Sequence, residues 1–195
     1  MELEAVMTRP TFKLYHGSHR WQGPPRIVPL RPGHAEHGPG IYFTTSRETA
    51  QEYAKGGGKV GLFTIQAPRA WAHEVPLELD DVLPLISKVR GPGKRKSIQE
   101  SLERARHRIY GETLINLFVN DRVSHGDTGV ILADYLVSRG VDAVRMSRNI
   151  NEMWVIVINP AIVTSRRDAV DGDPWDLERD PIKSMRELAA TARQE

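Results

Sequence analysis

Lys13-Leu14-Tyr15-His16-Gly17-Ser18 is the stretch around which the chain is organised. Aromatic and apolar residues from Phe12 to Tyr15 predict a short strand, and the polar His-Gly-Ser step predicts its end. A histidine at such a step can bond a polar ligand through either ring nitrogen. The glycine after it exposes backbone N–H and C=O groups to anything that approaches closely. Taken alone, the step reads as an ordinary turn.

Two later stretches change its weight. Gly38-Pro39-Gly40-Ile41-Tyr42-Phe43-Thr44 is a glycine-flanked apolar strand, and Ser46 is the N-cap of a helix running to Ala54. Far downstream, Asn151-Glu152-Met153-Trp154-Val155-Ile156-Val157-Ile158 is the strongest strand signal in the chain. His-Gly-Ser, then Gly-Ile-Tyr-Phe with a Ser/Thr-Ala-Tyr helix, then a strand opened by glutamate resembles the His-Tyr-Glu class of ADP-ribosyltransferases. That class includes the poly-ADP-ribose polymerases and the diphtheria-like toxins. The three parts come in the family's order and spread from His16 to Ile158.

The resemblance implies an α+β fold in which two small, mostly antiparallel sheets form a central NAD cleft with flanking helices. It implies NAD as co-substrate and His16, Tyr42 and Glu152 as the catalytic set. His16 would bond the adenosine ribose with Ser18 beside it, and the Gly17 backbone would hold the nicotinamide carboxamide. Thr49 stands where the family usually has a serine, and Tyr42 and Tyr53 match its aromatic positions. Glu152 would bond the nicotinamide ribose and face the cation that forms when nicotinamide leaves. The chain departs from the pattern in carrying one extra residue between Thr49 and Tyr53. Residues 149–152 read Asn-Ile-Asn-Glu, so the Glu/Gln-x-Glu signature of arginine- or asparagine-directed enzymes is absent and the acceptor stays open.

The expected activity is mono-ADP-ribosylation of a protein or nucleic-acid acceptor. Two alternatives remain: a rifamycin-type transferase acting on a small molecule, and a non-catalytic binding module on the same fold. A small basic transferase without accessory domains resembles a bacterial or phage toxin or effector, which implies an antitoxin or immunity partner.

Composition fits this reading without requiring it. The chain has 195 residues, 39% hydrophobic and 27% charged, with a net charge of +2. That suits one globular domain with a sizeable core and permits an acidic partner. With no cysteine, disulfides, thiolate nucleophiles and cysteine–zinc sites are excluded. Met1 to Pro10 lacks the pattern of a secretory signal, and no apolar run reaches the roughly 18 residues of a membrane helix. The expectation is a cytoplasmic protein that does not enter a membrane.

The remaining chain supplies the frame. His19 to His37 is a Gly/Pro-rich loop; its His34-Ala35-Glu36-His37 lacks the order and the helical context of a zinc motif and reads as loop histidines, with no metal expected. Gly56-Gly57-Gly58 is a hinge, and Val60 to Ile65 a strand. Val75 to Leu85 is ambiguous between strand and helix. Val89 to His107 is the most basic segment, and Ser97-Ile98-Gln99-Glu100 matches a capping box that predicts a helix start. Asp127 reads as the cap of a helix over Thr128 to Arg139, ended by Gly140, and Val141–Met146 and Ile162–Ser165 as strands. We therefore expect a catalytic domain over 1–170 with a basic helical insertion at about 86–126. A C-terminal helical extension over 171–195 would begin its helix at Asp180-Pro181.

Overall fold

Thr11–Ser18 form β1, eight residues whose even-numbered side chains Phe12, Leu14 and His16 share one face. The strand therefore does not stop at Tyr15, as the glycine suggested, but runs through the whole His-Gly-Ser step. The physical reason is its partner: β3 (Lys59–Gln66) pairs antiparallel along all of β1, with His16 opposite Gly61, Gly17 opposite Val60 and Ser18 opposite Lys59. The description, from a computed structural model, covers residues 9–19, 21, 23–105, 108–150 and 152–170.

Among the described residues there are six strands and five α-helices. The further strands are β2 (Ile41–Thr44), β4 (Ala143–Asn149), β5 (Glu152–Val157) and β6 (Val163–Asp168). The class is α+β. The strands make one six-stranded sheet in the order β4-β5-β2-β1-β3-β6, not the two sheets expected, and every pair with a described register is antiparallel. The reason is that β2 and β1 are hydrogen-bonded neighbours, which joins what would be two sheets into one.

The residues group into two compact units, each assembled from separated stretches. Among the described residues, the first contains those from Arg9 to Trp21, Thr44–Ala67 and those from Ile162 to Val170; the second contains those from Gly23 to Phe43 and from Pro68 to Ala161. In the first unit, β3 lies between β1 and β6, and helix α1 (Arg47–Ala54) packs Ala50 and Ala54 against Tyr15, Val60 and Leu62. Ser46 caps α1 as the sequence predicted, its hydroxyl accepting from the Thr49 N–H at 3.1 Å. Gly17 is fixed by this packing: a Cβ there would lie 1.7 Å from the Ala50 carbonyl oxygen. Only glycine lets the helix backbone approach the strand so closely.

In the second unit, helices α2 (Leu79–Ser87), α3 (Pro92–Ala105), α4 (Gly111–Asn120) and α5 (Gly126–Ser138) bury an apolar core. Ile98, Leu102, Leu114, Phe118, Leu132 and Leu136 meet Ile156 and Ile158 of the β5 segment there. The ambiguous segment resolves into the Pro76–Tyr110 bridge followed by α2, whose apolar Val82, Leu85 and Ile86 recur at helical spacing. Two predicted helix starts are corrected. Helix α3 begins at Pro92, so Ser97 lies inside it and its hydroxyl donates to Asp121 at the end of α4 at 3.4 Å. Helix α5 begins at Gly126 behind His125, which leaves Asp127 in the first turn, where its charge still suits the positive helix end. Gly140, at φ 86°, follows the last turn as predicted. The predicted break at Gly172 to Trp175 and the last helix lie outside the described residues.

Candidate functional site

The candidate residues fall into two sets, one in each unit. In the second unit, Glu152 opens β5 and is buried, with 7% of its surface exposed. Strand alternation puts Trp154 on the same face two residues later. The indole Nε1–H donates to Glu152 Oε1 at 2.8 Å. Arg148 and Asn149, at the end of β4, reach Oε1 and Oε2 of the same carboxylate, each at 3.5 Å. A buried carboxylate is costly unless it is paired and hydrogen-bonded, and these donors meet that need.

Trp154 is also the hub of a ring group. The Tyr42 ring centroid lies 6.3 Å from it and that of His37 lies 5.5 Å away, both edge-on, and Arg148 sits over the indole at 5.2 Å. Tyr42 is oriented by the turn before it, where its hydroxyl donates to the Gly38 carbonyl at 2.7 Å and accepts from the His37 N–H at 3.2 Å. Gly38 has φ 100°, a conformation that disfavours other residues, so the carbonyl receiving Tyr42 depends on that glycine. Tyr42 and Glu152 thus meet through Trp154.

In the first unit, His16 projects from β1 into a different ring group. Trp21 and Phe63 lie edge-on to it at 5.1 Å and 5.9 Å, and Arg166 of β6 stands over Trp21 at 5.5 Å. Gly61, opposite His16, leaves the room that the Phe63 ring takes, since a Cβ there would lie 2.6 Å from that ring. Gly17 lies beneath α1 and Ser18 ends β1. Thr49 is buried in the first turn of α1, whereas Tyr53 is 54% exposed on the same helix.

Sequence reasoning singled out Tyr42 and Glu152 but not Trp154, Arg148 or His37. Trp154 had a legible signal, the i, i+2 spacing from Glu152. Arg148 had none, because only the β4–β5 turn brings it back onto the carboxylate. His37 was read as a loop histidine, and its ring instead packs edge-on against Trp154. Among the described residues, no group of three or more His, Cys, Asp or Glu side chains is arranged to hold a metal ion. No described helix is long and apolar enough to cross a membrane.

No family model and no curated protein matches the chain. Among solved structures it is similar to an anti-CRISPR protein, at 12% identity and a TM-score of 0.36, over 82% of this chain and 96% of that one. A likeness at that level carries no argument.

Proposed function

We propose that this protein is a mono-ADP-ribosyltransferase that cleaves NAD at the nicotinamide–ribose bond and passes ADP-ribose to a macromolecular acceptor. The observation that supports it is the buried Glu152 carboxylate, hydrogen-bonded within a group of aromatic rings that includes Tyr42. In the reaction, the bond between ribose C1′ and the pyridinium nitrogen breaks and its electron pair leaves with nicotinamide, which departs neutral. The ribose is left with oxocarbenium character, as in glycoside hydrolysis. A nucleophilic oxygen or nitrogen of the acceptor then bonds C1′ and releases a proton; with water in its place the product is free ADP-ribose.

No strong acid is needed for a neutral leaving group. What accelerates the step is a preorganised negative charge where positive charge develops, the role we give Glu152. Aromatic faces and edges suit the flat pyridinium, and ring pairs contribute about 0.5–1.5 kcal/mol beyond area burial. The sequence resemblance assigns His16 and Ser18 to the adenosine ribose.

Incubation with NAD labelled in the nicotinamide ring tests the proposal. Wild-type protein should release nicotinamide, and Glu152→Gln should keep NAD affinity and fold but lose about 10²–10³ in kcat. Wild-type turnover in Glu152→Gln would remove the catalytic assignment. Absence of both NAD binding and nicotinamide release in the wild type would leave a non-catalytic module.

A further inference from the structure

Resting on that reading, we propose that Trp154 is the positioning residue for Glu152, through its indole N–H rather than through its ring. A glutamate side chain turns about three bonds and loses up to about 2 kcal/mol of rotamer freedom when fixed. Something must therefore hold Glu152 in one orientation before the substrate arrives. Among the donors described at it, Arg148 and Asn149 stand at 3.5 Å, the limit of a hydrogen bond, and Trp154 at 2.8 Å. The indole contact therefore has the length of a full hydrogen bond, and its ionised acceptor makes it roughly twice as strong as a neutral one.

The donor is itself fixed. Trp154 has only two side-chain torsions, and its ring is met by the His37 edge at 5.5 Å, the Tyr42 edge at 6.3 Å and the Arg148 guanidinium at 5.2 Å. Backbone pairing adds a further constraint, since Met146 on β4 stands opposite Trp154 and Asn149 opposite Glu152. Donor and acceptor thus sit two residues apart on one face of one strand, and the indole transmits the rigidity of the ring group to the carboxylate. Electrostatic stabilisation depends on such preorganisation, because a carboxylate that must reorient during the reaction forfeits part of its effect. Trp154 does not touch the reacting atoms in this account; it acts through Glu152.

The test separates the N–H from the ring. Replacing Trp154 by benzothienylalanine, which puts sulfur where the indole has N–H, removes the donor and keeps the shape. Trp154→Phe is the coarser variant. Both should lower kcat for nicotinamide release about 10- to 30-fold with KM for NAD within about twofold, the pattern of an interaction that matters in the transition state. Unchanged kcat in the benzothienyl protein, or losses that follow melting temperature or KM, would overturn the role.

A readout independent of activity uses protein labelled with nitrogen-15 in its four tryptophans. The Trp154 indole N–H signal, assigned by its loss in Trp154→Phe, should shift and exchange faster with solvent in Glu152→Ala. An unmoved signal would overturn the positioning role by itself. Absence of wild-type NAD binding and cleavage would overturn it together with the proposed function.

Discussion

Arg69 and Asp142 form a two-pronged ion pair in which one partner is fully buried and the other half exposed. The Asp142 side chain has no exposed surface, and Arg69 contacts it through Nε at 3.1 Å and 3.2 Å and through Nη2 at 2.8 Å. The Arg69 backbone N–H and the Asn159 side-chain amide each donate to the same carboxylate at 2.7 Å. Asp142 also accepts through its main-chain carbonyl from Ile158 and Asn159. One residue at the head of β4 thereby ties together the segment before Trp71 and the end of β5.

Asp142→Ala should therefore destabilise the protein by about 2–3 kcal/mol, less than the loss of a wholly buried pair because Arg69 can turn into water. Urea unfolding at neutral pH measures it.

The same carboxylate gives a pH dependence. Burial pushes the Asp142 pKa up, but the hydrogen bonds from Arg69 and Asn159 outweigh it and hold the group below its ordinary 3.8. With the folded value depressed, the unfolded chain binds the proton first as pH falls. The contribution is complete above the unfolded value, declines through it and is gone below the folded value. Urea midpoints taken between pH 7 and pH 2 should fall less steeply below pH about 4 in Asp142→Asn than in the wild type.

Gly17→Ala should fail as a fold rather than as a ligand contact. The added methyl would meet the Ala50 carbonyl at 1.7 Å, which backbone cannot yield cheaply. We expect a loss on the order of 3 kcal/mol or more, or insoluble protein. Gly33→Ala has open space and is the control for substitution at a glycine; its cost should be confined to the roughly 1–2 kcal/mol of its positive φ. Thermal melts of the two variants decide.

Ser46→Ala removes the α1 cap and should cost about 1 kcal/mol, and Ser46→Gly only a few tenths. Chemical denaturation of both variants measures the difference, and equal losses would mean that the Ser46–Thr49 contact is idle.

Lys94 and Lys96 are exposed near the start of α3, and Lys96 pairs only loosely with Glu100 at 3.8 Å. Changing both to Gln should leave stability within about 0.5 kcal/mol and nicotinamide release without acceptor unchanged. A collapse of basal cleavage would assign the basic segment to the NAD site. Arg95 is kept in this test because its guanidinium donates to the Val89 carbonyl at 3.3 Å.

What the amino-acid order determined by itself was local. Apolar alternation and β-branched residues located β2, β3 and β5, and the Ser46 hydroxyl and Gly140 marked helix ends, because those signals act over a few residues. The limits of β1 were not legible, since whether a chain stays extended through His-Gly-Ser depends on a partner strand more than 40 residues away in sequence. The starts of α3 and α5 were misjudged because Ser97 and Asp127 offer side-chain oxygens wherever they stand, and only the path of the preceding backbone decides whether an oxygen caps a helix. Nor was the single sheet, whose strand order is a matter of long-range pairing. Around Glu152 the division is the same: the sequence marked a lone acid before an apolar strand. The turn that returns Arg148 to it, and the packing that stands Trp154 between Tyr42, His37 and the carboxylate, exist only in three dimensions.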